Sequence, residues 1–98
     1  MSVDPFAQLQ RCVNEFSTVQ ATGSRIQLEF IALERDSKEL DQKFADALSQ
    51  GIDVRPTAAE LLSLSVERAR VWKECSENAT KAAVLSHQSA EAILRCAR

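Results

Sequence analysis

Glycine and proline are almost missing from this chain: two of each in 98 residues. So little punctuation excludes a fold of many short strands and turns, and favours a few long elements. Aromatic residues make up only 5%, with no tyrosine and a single tryptophan. There is one histidine, His87, and no C-x-x-C pair. No glycine-rich phosphate loop is present. No acidic residue stands three before His87, so the E-x-x-H motif of di-iron bundles is lacking. His87 and Glu91 share a helical face, but two ligands do not make a site. No catalytic, metal-binding or cofactor-binding residue is assigned, and the chain is not read as an enzyme. No uninterrupted run of 18 apolar residues exists, so no membrane span is expected. The opening Met1-Ser2-Val3-Asp4-Pro5 lacks the basic and apolar regions of a Sec signal peptide. The expected location is the cytoplasm, with export by a route that leaves no such signature as the alternative.

What is present is helix-forming and mixed in charge. Hydrophobic residues are 45% and charged residues 27%, for a net charge of -2. That composition is not that of a disordered tail. The balance gives no electrostatic reason to expect nucleic acid. The cysteines, Cys12, Cys75 and Cys96, are odd in number and occupy apolar positions of helical patterns. They read as small buried hydrophobes in a reducing compartment. Asn78-Ala79-Thr80 matches a glycosylation sequon, but its mid-helix position makes it a chance match.

The strongest pattern is a heptad repeat from Leu9 to Ala47. Its a positions are Leu9, Phe16, Gly23, Phe30, Ser37 and Phe44; its d positions are Cys12, Val19, Ile26, Leu33, Leu40 and Ala47. No charge interrupts the seam, which predicts a helix packed along another helix. Asp4 is suited to cap its start and Pro5 to stand at the first helical position. Ser24 with Gln27 could cap a new helix after Gly23. The unbroken heptad phase across Gly23 argues instead for a continuous helix, with Gly23 the place where it would bend. Gly51 is suited to end it. The connection is read as residues 51–56. Thr57 and Glu60 have the form of a capping box that opens a second helix over about 57–97, with Pro56 preventing backward extension.

The expected fold is therefore all-α: an antiparallel helical hairpin of about 5–50 and 57–97, in coiled-coil packing, forming one domain over 1–98. The alternative is a three-helix bundle broken at Gly23. For the second helix, the expected inner seam is the charge-free series Leu62, Ser65, Ala69, Trp72, Ser76, Ala79, Ala83, Ser86, Ala90, Ile93 and Ala97. In the expected register Ser37 meets Trp72, Phe30 meets Ala79 and Cys12 meets Ala97, so large residues mostly face small ones. A shift of one heptad would instead set Trp72 against Phe30 or Phe44. The pairs Glu34–Lys38, Glu39–Lys43 and Glu77–Lys81 have the favourable i, i+4 order of a solvated face.

That seam leaves a second stripe on the same helix: Leu61, Leu64, Val71, Cys75, Ala82, Leu85, Ala92 and Cys96, interrupted by Arg68, Asn78 and Ser89. Leu28 and Ile31 lie off the seam of the first helix. A helix that is apolar on more than one face is buried on more than one face. The residues expected to bind a partner helix, or another copy, are Leu61, Leu64, Val71, Cys75, Ala82, Leu85, Leu28 and Ile31.

Pro56, Leu61-Leu62, the long helix ending Ala92-Ile93-Leu94-Arg95 and the preceding Phe44-Ala45-Asp46-Ala47-Leu48 carry a resemblance. The segment Pro56 to Arg98 resembles the C-terminal half of needle and inner-rod subunits of bacterial type III secretion systems, and Phe44 to Leu48 is similar to the segment before the turn in rod subunits. The architecture is also similar to the small helical-hairpin chaperones of those systems. The resemblance implies a non-enzymatic structural subunit that polymerises, or a chaperone that binds one. The alternative is a coiled-coil adaptor or tether of an unrelated complex.

Overall fold

In a computed structural model, which describes residues 4–96, the chain forms two long helices packed against each other. α1 spans Pro5–Gln50 and α2 spans Arg55–Cys96. The expected end of α2 at Ala97, and the Cys12–Ala97 layer, lie outside the described residues.

Asp4 caps α1 as its sequence position predicts. Its Oδ1 accepts the Phe6 N–H at 3.1 Å, and its carbonyl accepts the Gln8 N–H at 3.0 Å. The helix then runs unbroken through Gly23, so the three-helix alternative is not the fold. At the far end Gly51 adopts φ 69°, a left-handed conformation that glycine enters without a Cβ penalty. The Ile52 N–H folds back to the Ala47 carbonyl at 2.9 Å, and the Gly51 N–H reaches the Leu48 carbonyl at 3.3 Å. These bonds satisfy carbonyls that the helix end would otherwise leave open.

α2 begins at Arg55, two residues earlier than expected. The capping side chain is Asp53, one residue ahead of the N-cap position Val54, and not Thr57. Asp53 Oδ1 accepts the Arg55 N–H at 3.0 Å, and the Val54 carbonyl takes the Ala58 N–H at 2.9 Å. Pro56 does not block this, because N–H groups in a first turn have no helical acceptor to lose. The Arg55 guanidinium folds onto the Asp53 carboxylate at 2.8–3.1 Å. That contact, and secondarily the Arg55 N–H, holds Asp53 below its usual pKa. Thr57 lies inside the helix, 4% exposed. Glu60 turns to α1, where it pairs with Lys43 at 3.7 Å.

The heptad seam of α1 is the buried face of that helix. Cys12, Val19, Ile26, Leu33 and Ala47 are buried, and the remaining seam positions are half-buried. The expected seam of α2 is not. Leu62, Ser65, Ala69, Trp72, Ser76, Ala79, Ala83, Ser86, Ala90 and Ile93 are all exposed. The inward face is the neighbouring stripe, turned by one residue or about 100° about the axis. Val71, Leu85 and Ala92 are buried, and Leu61, Leu64, Cys75, Asn78, Ala82, Ser89 and Cys96 are half-buried. With Thr57 and Arg68 this stripe keeps 4–3 spacing from Thr57 to Cys96, and only Arg68 is exposed. The choice follows from apolar area. Leucine and valine gain roughly 1.5–3 kcal/mol each on burial, far more than the serines and alanines of the other seam. Asn78 enters the interior because its Nδ2 donates to the Val19 carbonyl at 3.2 Å.

The packing forms two compact units. One combines α1 through Arg25 with α2 from Cys75, and the other is residues 26–74. In the first, Cys12, Val19 and Leu85 form a core with Phe16 and Ala82 against it. Gly23 stands opposite Asn78. In the second, Ile26, Leu33, Ala47 and Val71 are buried, and Trp72 meets Phe30 edge-on with ring centroids 4.9 Å apart. Trp72 therefore sits against Phe30 and not Ser37, about one heptad from the expected register.

Candidate interaction surface

Turning α2 changes which residues are available to a partner. Leu61, Leu64, Val71, Cys75, Ala82 and Leu85 lie on the inward face of the hairpin, so the expected partner-binding set is largely consumed at home. Leu28 and Ile31 do stand outside, at 68% and 58% exposure. Ile31 sits beside Glu34, Arg35 and Lys38, a charged neighbourhood.

The two flanks of α2 differ in chemistry. On one flank, polar side chains cross to α1 from positions just ahead of the inward stripe. In the 26–74 unit Arg70 reaches Glu29 at 3.5 Å, while also binding Glu67 and Glu74 on its own helix. These carboxylates raise the Arg70 pKa, Glu67 foremost, and Arg70 in turn lowers that of Glu67. In the other unit Arg95 reaches Gln8 at 3.4 Å. His87 pairs with Glu91 at 2.9 Å on the exposed surface. Lys38 pairs with Glu34 at 3.5 Å, as the spacing predicts.

The opposite flank is the charge-free seam. Within the 26–74 unit it presents Leu62, Ser65, Ala69 and Trp72 at 3–4–3 spacing, with Val66 alongside. Leu62, Val66 and Trp72 are 69%, 67% and 60% exposed. Three large apolar side chains thus project from three turns of one helix. The signal that identifies this patch was present in the sequence as an uncharged seam. Its lack of charge and its small residues, set against the large ones of α1, point it inward, whereas burial follows the larger residues beside it.

Other chemistry is sparse. Among the described residues no group of three or more His, Cys, Asp or Glu side chains could hold a metal ion. The cysteines are free: Cys12 is buried, Cys75 and Cys96 half-buried. An open depression lined by Asp36, Glu39, Leu40, Lys43, Glu60 and Leu64 lies between the helices of the 26–74 unit. Apart from half-buried Asp36 its charged groups are exposed, and Lys43 and Glu60 answer each other. Among the described residues no helix is long and apolar enough to cross a membrane. No protein-family model matches the chain, and neither a curated protein nor a solved structure matches it.

Proposed function

We propose that this chain is a non-enzymatic helical protein-interaction module that works through the charge-free flank of α2. The observation that carries the reading is the exposure of Leu62 and Trp72 on the charge-free seam of α2, with exposed Val66 alongside. Large apolar residues that share a surface mark a binding site more often than single ones do. Tryptophan is also enriched among the residues that dominate binding energy. Spacing of 3 and 4 suits a helix as the occupant. The resemblance to type III secretion proteins supplies a specific form of this reading, a small subunit or chaperone of an export apparatus. A coiled-coil adaptor of an unrelated complex is the form without that resemblance.

Site-specific photocrosslinking in the producing cell tests the reading. A photoreactive residue at Val66 should give a discrete covalent adduct, and the same residue at exposed Glu77, on the charged flank, should not. No adduct at Val66, or equal adducts at both positions, overturns it. Growth of the purified chain into filaments would favour the polymerising subunit over the adaptor.

A further inference from the structure

We infer that α2 has a second packing position on α1, reached when it turns by one residue about its own axis. Within the 26–74 unit the line from Leu62 to Trp72 then replaces the line from Leu61 to Val71 against α1, and the charge-free flank is closed. The turn needs no partner. Where a partner does bind the flank, α1 competes with it for the same face. That consequence rests on the interaction reading above, whereas the turn itself does not.

Helix geometry defines the step. Residues 61, 64, 68 and 71 and residues 62, 65, 69 and 72 have the same 3–4–3 spacing. One line becomes the other by a turn of about 100° and a slide of about 1.5 Å. Each inward residue is replaced by its neighbour in sequence, so no jump of register is involved. Trp72 already meets the Phe30 ring edge-on at 4.9 Å while 60% exposed. The ring therefore stands at the margin of the packed face, on the side that the turn brings inward, and acts as the pivot. The non-helical connection over residues 51–54 takes up the slide. It has room to do so at Gly51, where a Cβ would meet nothing within 4 Å.

Charge acts as the latch. Arg70 reaches Glu29 at 3.5 Å and Lys43 reaches Glu60 at 3.7 Å, both on the flank opposite Trp72. The turn carries that flank of α2 away from α1 and opens both pairs. Surface pairs of this kind contribute little and are screened by salt, so the latch is weak.

The apolar contents of the two lines are also close in this unit. The observed line packs Leu61, Leu64 and Val71 but includes Arg68, which stays exposed. The other line offers Leu62 and Trp72, and sets Ala69 in the place of Arg68. A tryptophan alone buries roughly 150–250 Å². The observed line remains ahead. A minor state populated at about 0.1–10% is nonetheless one that a substitution or a ligand can select.

Fluorescence of Trp72, the sole tryptophan, tests the proposal, because this ring changes its surroundings in the turn. Leu64→Asn together with Val71→Asn weakens the observed line and leaves the other intact. The double variant should stay helical, at unchanged mass in sedimentation, with Trp72 emission shifted to the blue and its quenching by acrylamide reduced. Val71→Asn alone, a milder change, should move both signals in the same direction. Adding Ala69→Glu to the double variant sets a charge in the second line and should abolish the blue shift.

Variants that unfold, shift to the red or keep wild-type emission and quenching would overturn the proposal. So would a blue shift that survives Ala69→Glu or that comes with a doubled mass. The adduct at Val66 in the wild type decides the interaction reading separately, so a helix that does not turn and a flank that binds nothing are told apart.

Discussion

A Cβ built on Gly23 would stand 3.6 Å from Asn78 Nδ2, an ordinary van der Waals distance. Gly23 is helical, without a positive φ, so alanine fits its backbone. Glycine inside a helix costs about 1 kcal/mol relative to alanine. Gly23→Ala should therefore stabilise the fold by about 0.5–1 kcal/mol, measured as a higher urea midpoint with unchanged slope. A destabilised variant would mean that the notch beside Asn78 has to stay empty. The Asn78 amide bond to the Val19 carbonyl makes its inward position tolerable. In the sequence Asn78 looked like an interruption of the stripe. A polar residue reads as an interruption until its partner on the other helix is known, and the partner here is a backbone carbonyl that no side-chain pattern reveals.

At the scale of the helix, the pattern of α1 was plain and that of α2 was ambiguous. α1 has one charge-free seam containing Phe16, Phe30 and Phe44, so only one face is available for burial. α2 has two adjacent seams, each with heptad spacing. One is free of charge but rich in serine and alanine; the other holds Leu61, Leu64, Val71 and Leu85 but contains Arg68. Arg68 stays exposed, so its charge does not forbid burial of its neighbours. Leu85 is 2% exposed and Ile93 is 55% exposed. Leu85→Ala should cost about 2–5 kcal/mol, as truncation in a core does. Ile93→Ala should cost less than about 1 kcal/mol. Chemical denaturation of the two variants checks the orientation directly. Equal costs, or a larger cost at Ile93, would return α2 to the orientation first read from its lack of charge.

The helix ends show the same division. Asp4-Pro5 and Gly51 act as their identities predict. The start of α2 is displaced because Asp53, Thr57 and Glu60 all have capping chemistry, and local sequence cannot rank them. Asp53 gained Arg55 as a partner, and Glu60 was drawn to Lys43 on the other helix.

For the whole molecule, self-association through the exposed flank of α2 would link stability to concentration. If the folded state is a dimer and the unfolded state is not, mass action raises the midpoint of thermal unfolding with protein concentration. Each 1 kcal/mol gained should raise the midpoint by roughly 4–8 °C in a domain of this size. Calorimetry at concentrations about 100-fold apart should show the rise in the wild type and a much smaller one in Ala69→Glu. A midpoint independent of concentration in the wild type would count against assembly.

Scarce glycine and proline, a capped start at Asp4, a stop at Gly51 and an unbroken heptad phase across Gly23 determined two long helices folded back on each other. These are local or periodic properties, and the chain states them without reference to its partner helix. Which face of α2 turns inward, and how far it slides along α1, only the tertiary structure decided. Both depend on the total apolar area buried and on pairs such as Phe30 with Trp72 and Val19 with Asn78. Those contacts join residues far apart in sequence, and two competing seams on one helix can be ranked only when both helices are present.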